Sequence, residues 1–319
     1  MTRYIIGRLI QAVILTIAVT ALTFILIRLA PGDPISLLAG ERANPEFQDR
    51  LRRELGLDEP LHVQLVTYFA HLLRGDFGFS FTYQAPVLGV ILSRLQPTLL
   101  LMASSLVLSG LLGIWSGVSS AVHAGTRRAA VVTVASLIGY SIPAFWLGQI
   151  LILLFGVALG WFPILGMTSR FNARGVEQWL DVAWHLVLPV MTLTVFHVAL
   201  ISRLTRAAML EVLDQEYVRV ARGKGLAERV VIYRHALANA ALPIITVLGL
   251  QAGSLVAGFV LVETVFGWPG LGRLTFDSIA ARDYPVITGL FIFVAASVIL
   301  SNLVTDIAYA VADPRVRYR

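Results

Sequence analysis

The sequence contains no cysteine and a single lysine, and only 14% of its residues are charged. Without cysteine there are no disulfides and no thiolate metal sites, and nothing marks a redox compartment. The shortage of charge is the more telling one. A soluble domain carries roughly 25% charged residues, whereas here 57% of the chain is hydrophobic. That balance points to a polytopic membrane protein. The formal charge of +6 is then a matter of membrane topology rather than of nucleic-acid binding.

Missing motifs narrow the chemistry further. The phosphate-cradling loop of nucleotide hydrolases needs a glycine, four residues, then Gly-Lys and a hydroxyl residue. The one lysine, Lys224, does follow Gly223, but position 218 is valine and position 225 is glycine. The match fails twice. Nothing in the chain resembles a nucleophilic triad, a metal cluster or a carboxylate pair, so no catalytic residue, metal or cofactor is expected. The apolar spans hold no Asp, Glu or Lys, the groups that ion-coupled transporters keep near the midplane. Uphill movement of a solute would draw its energy from another chain.

What is present is a series of six apolar stretches, at 9–29, 98–122, 129–159, 186–202, 242–262 and 285–305. They approach or exceed the ~20 residues that cross a bilayer, and they predict an all-α fold of six transmembrane helices. The first is longer than the apolar core of a secretory signal and reads as a retained anchor. The third contains Pro143 and is expected to kink, tilt or run past the interface; the fourth carries Pro189 near its start. Basic residues fix the orientation. Arg3, Arg8, Arg127, Arg128, the cluster from Arg203 to Arg234, and Arg315, Arg317 and Arg319 fall on one side. Only Arg170, Arg174, Arg273 and Arg282 fall in the short loops of the other, so both termini are expected in the cytoplasm. Residues 30–96 form an external region, a small cap or a docking surface. Asn44 is a candidate cap for a helix from Pro45 to Leu55. The aromatic stretch Gly75-Asp76-Phe77-Gly78-Phe79-Ser80-Phe81 suggests an interfacial segment.

The longest polar insertion in the second half, residues 203–241 and on to Pro243, reads as a cytoplasmic hairpin of two short helices. Leu210, Leu213, Tyr217 and Val220 recur at helical spacing and predict an apolar stripe on the first helix. Gly223 and Gly225 supply its stop. The second helix is expected from Ala227 to Pro243. Inside the spans, His197, Gln149 and Gln251 are polar candidates for packing between helices or for lining a route. Trp268, in Gly267-Trp268-Pro269-Gly270, is either an interfacial anchor or part of an external gate.

Four ordered motifs then carry a resemblance that covers nearly the whole chain. They are Ala30-Pro31-Gly32-Asp33-Pro34; Ser141-Ile142-Pro143-Ala144-Phe145-Trp146; Glu216 to Leu226 with Arg234 to Pro243; and Glu263 to Gly272. The third resembles the EAA loop of binding-protein-dependent ABC importer permeases, more narrowly the first of the paired permeases of dipeptide, oligopeptide and nickel importers. One departure stands out: the glutamate that names the loop would fall at Arg219, while Glu216 lies one helical turn earlier.

The resemblance implies a coupling helix seated in a groove of a cytoplasmic ATPase. Glu216, Tyr217, Arg219, Ala221, Arg222, Lys224, Gly225 and Leu226 would form it. It further implies a second homologous permease, two ABC ATPase subunits, an external solute-binding protein and a place in a bacterial inner membrane, with membrane lipid around it and no nucleic acid. The implied cargo is a short peptide, with nickel or another small solute as the alternative. Two other classes stay open on the residues alone, a stand-alone secondary transporter or channel and a non-transporting scaffold or sensor.

Overall fold

The computed structural model describes residues 2–29, 58–169, 175–253 and 259–312, with isolated positions between 44 and 53. Asn44 does what its position predicts, since its side-chain oxygen accepts the Glu46 N–H at 3.1 Å. Most of the helix expected from Pro45 to Leu55 lies outside the described residues, as do Pro31, Gly32, Asp33 and Pro34. The fold divides into two compact units, Met1–Gln96 with Gly270–Arg319, and Pro97–Pro269.

In the first unit, helix α1 (Thr2–Leu29) is followed by α2 (Leu61–Leu73) and a minimal antiparallel hairpin, β1 (Phe79–Ser80) with β2 (Ala85–Pro86). The first turns of α3 (Val87–Val122) come next, and the unit closes with α11 (Leu271–Ala280) and α12 (Tyr284–Ala312). Helices α1 and α12 pack along each other. The aromatic stretch that the sequence marks as interfacial is a turn held by one carboxylate. Asp76 accepts the Gly78 N–H at 2.9 Å and meets His71 Nδ1 at 2.9 Å. The Gly78 hydrogen bond, then the one to His71, holds the Asp76 carboxyl below its usual range. Ser80 is fully buried and donates to Asp283 at 2.5 Å, while Asp283 caps α12 through the Val286 N–H. Hairpin and helix start are thereby tied together.

The second unit holds the rest of α3, α4 (Arg127–Ser141), α5 (Ala144–Leu151), α6 (Val176–Leu213), α7 (Glu216–Gly223), α8 (Glu228–Val230), α9 (Leu237–Gly253) and α10 (Val260–Val265). Thr126 caps α4 by accepting the Ala129 N–H. The third apolar stretch is sharply bent at Pro143, where its proline predicts a kink. Proline at 143 forces Ile142 into extended backbone (ψ 124°), and α4 meets the helix running from Ala144 to Ala158 at 98°. Among the described residues, five helices are long and apolar enough to cross a membrane, and six spans result if this pair counts as one.

The fourth stretch was expected at 186–202, yet α6 runs for 38 residues and passes through Pro189 without ending. At 1.5 Å per residue it is ~57 Å long, nearly twice the hydrocarbon core of ~30 Å. It is therefore long enough to extend well past the membrane boundary. Small residues let it lie close to α3: a Cβ on Gly117 would stand 2.5 Å from Thr205 Cβ, and one on Gly113 would stand 2.7 Å from Ile201 Cβ. Glycines four apart give two helices this close approach. Ser116 adds a hydrogen bond to Ser202 at 3.0 Å.

Candidate functional site

Helix α6 ends at Leu213, and Gln215 takes an extended conformation before α7 begins. That break changes which residues line up. Leu210 and Leu213 belong to α6, so the stripe expected through Tyr217 and Val220 does not form. Val218 and Ala221 face inward instead and pack with Val231, Val212 and Leu213. Tyr217 and Val220 point outward, 42% and 55% exposed, together with Leu226, Val230 and Tyr233. Glycine 225 sits at φ +73°, in the left-handed region, and turns the chain from α7 to α8.

Arg222 forks onto Glu228 across that turn, with Nη2 2.7 Å and Nε 3.2 Å from the carboxylate. These hydrogen bonds push the already high Arg222 pKa further up. Arginine 222 therefore closes the hairpin on itself, while Arg219 and Lys224 stand exposed beside the outward apolar side chains. Glu216 is exposed in the first turn of α7, where a carboxylate complements the helix dipole. The second helical arm starts at Glu228, passes through a widened π segment over Val231–Ala236, and does not stop at Pro243, which lies inside α9.

The other polar candidates separate. His197 and Gln251 meet, Gln251 Nε2 lying 2.8 Å from His197 Nδ1, with Phe196 and Phe259 edge-on to the imidazole. Gln149 is exposed on α5 and joins neither. Trp268 is not an interfacial anchor. It has no exposed surface, belongs to the core with Leu101, Leu188 and Phe266, and donates its indole N–H to the Pro97 carbonyl at 2.8 Å.

Two family models divide the chain between them. Residues 109–318 match the binding-protein-dependent transport system inner membrane component, and residues 1–103 match the N-terminal model of the same transport-system membrane component. The chain belongs to this family of transport permeases. It is 42% identical over 315 residues, 99% of both chains, to a protein of Sinorhizobium fredii named a probable peptide ABC transporter permease, y4tP. It is also 42% identical over 317 residues, 94% of both, to the di/tripeptide transport system permease DppB of Pseudomonas aeruginosa. Among solved structures, a chain of the MetNI methionine ABC transporter in inward-facing conformations shares the fold at TM-score 0.57 and 18% identity. The match covers 71% of this permease and 97% of that chain.

The permease also contains buried polar groups that sequence reasoning passed over. Glu263 has no exposed surface and accepts a hydrogen bond from the equally buried Thr98 at 2.9 Å. It stands one residue past the apolar stretch 242–262, and α10 carries Val262 and Glu263 inward while Leu261 faces out. The signal was an acid flanked on both sides by apolar residues. Asp181 and His185, at the start of α6, were likewise outside the predicted span. Ser169 donates its N–H to Asp181 at 2.8 Å and meets His185 Nε2 at 3.0 Å, fastening the loop before α6 to that helix.

Proposed function

We propose that this chain is the translocation subunit of an ATP-driven importer of short peptides. The two relatives described above, which match it along nearly their whole length, are named as permeases of peptide and of di/tripeptide transport. The observation that carries the coupling role is the hairpin. It buries Val218 and Ala221 to hold its shape and turns Tyr217, Val220 and Leu226 outward, rimmed by Arg219 and Lys224. Apolar side chains ringed by cations suit a groove with an acidic rim. The groove would be that of a cytoplasmic ATPase subunit, one of two, because the permease carries no phosphate-binding loop of its own.

A second, homologous permease completes the path, and an external binding protein delivers the peptide. Both termini and the hairpin face the cytoplasm, as the arginine distribution favours. His197 and Gln251, paired between α6 and α9, are the polar groups closest in character to a path lining, and opening the path would part them. ATP-driven closure of the ATPases pushes the hairpin and, through the long α6, moves the spans.

Uptake in proteoliposomes containing the permease, its partner permease and the ATPases, with binding protein and a labelled dipeptide outside, tests this reading. Uptake that needs internal ATP supports it. Uptake driven by an ion gradient without ATPases, or none under either condition, overturns it.

A further inference from the structure

Helix α2 has apolar surface on two sides. Leu65, Tyr68, Phe69 and Leu72 are half-buried toward the rest of their unit, and Tyr68 lies 5.5 Å, ring centre to ring centre, from Phe24 of α1. On the helical wheel this leaves a second row at Val63, Val66, Ala70 and Leu73, spaced three, four and three residues apart. All four are exposed, Val66 by 68% and Leu73 by 89%. Between the two rows runs a narrow polar strip of Gln64, Thr67 and His71. Gln64 donates to the Glu59 carbonyl, and His71 pairs with Asp76. Apart from His62 in its first turn, the helix shows water only this narrow strip, and its outer row needs an apolar medium.

The position of the helix says which medium. Phe24 is five residues before Leu29, where α1 ends, so the Tyr68 contact holds α2 within about 8 Å of that end at 1.5 Å per residue. At the same level, Leu22, Ile25 and Leu26 of α1 are about half exposed. These belong to a span helix whose described outward side chains are almost all apolar, and such a surface faces lipid. The outer row of α2 continues it. We infer that α2 is an in-plane interfacial helix whose Val63, Val66, Ala70 and Leu73 lie in the headgroup–acyl boundary of the leaflet where α1 ends. Its polar strip and the Asp76 turn stay on the aqueous side. Lipid thereby anchors the segment that leads from the first span to the β1–β2 hairpin.

The absence of native cysteine makes the test direct. Single substitutions Val66→Cys, Leu73→Cys and Thr67→Cys, each carrying a nitroxide, would be reconstituted with the whole transporter in phosphatidylcholine–phosphatidylglycerol nanodiscs. Collision with oxygen and with a water-soluble nickel chelate is then measured. Positions 66 and 73 should show an oxygen-to-nickel accessibility ratio severalfold above that at 67. Equal ratios at all three would place the row in water and overturn the inference. Protection of 66 and 73 from both reagents would place the row against protein, the partner permease or the binding protein, and overturn it equally.

Discussion

At Gly225 a single φ angle decides the shape of the hairpin. The left-handed conformation at +73° costs an L residue roughly 1–2 kcal/mol. No atom stands within 4 Å of where a Cβ would be, so a substitution pays only this backbone cost. Asparagine tolerates the region and a β-branched residue does not. Gly225→Val should therefore reduce ATPase co-purification and ATP-driven uptake while membrane insertion stays normal, and Gly225→Asn should keep most of both. Normal ATPase recovery with the valine variant would detach the turn from docking.

Arg222 is a second test at this scale. Its partner is Glu228 in the same chain, and both side chains are 42–51% exposed, so the pair stabilises by no more than ~1 kcal/mol. Arg222→Ala should shift the melting temperature little. Arg222→Glu should impair coupling, and adding Glu228→Arg should restore it. If Arg222 met an acidic rim on a partner instead, the double exchange would not rescue uptake.

Among the elements, α3 and α6 approach each other closely at Gly113 and Gly117. A methyl on Gly117 would fall 2.5 Å from Thr205 Cβ and 2.6 Å from the Ser202 carbonyl, and neither backbone nor a β-branched neighbour yields easily. Gly117→Ala should cost about 1–3 kcal/mol by overpacking, read as a lower melting temperature of the detergent-solubilised complex. Gly7→Ala, with nothing within 4 Å, should leave it unchanged.

The elements also show what a sequence can and cannot carry. The apolar stretches were legible because burial in lipid demands continuous hydrophobicity, and the Gly225 stop because glycine alone takes that angle cheaply. The ends of α6 were not. Its outer turns are polar enough to look like loops, and the point where a helix leaves the bilayer carries no compositional mark. Proline was an uneven guide: Pro143 carries the bend expected of it, 98°, whereas α9 continues through Pro243, where a helix was expected to end, and α6 continues through Pro189. The hairpin's inward face was misassigned. The periodicity of Leu210, Leu213, Tyr217 and Val220 is real, but Gln215 interrupts the helix that would have used it.

On the scale of the whole molecule, most of the chain serves two tasks, filling a membrane and presenting a hairpin. The full-length likeness to peptide permeases and the outward apolar side chains of α7 support the proposal that an ATPase moves this subunit. Trp268 and Glu263 fit the same picture as core groups that hold α10 against the start of the Pro97–Pro269 unit through the Pro97 carbonyl and Thr98.

The coupling claim is tested most directly by site-specific photo-cross-linking in cells, with a photoreactive residue at Val220 and a control at Val218, which is fully buried. The account predicts a cross-link from position 220 to a nucleotide-hydrolysing subunit, strengthened when ATP hydrolysis is blocked, and none from position 218. Absence of that product while the transporter remains assembled, or labelling of position 220 by a reagent confined to the cell exterior, would contradict it.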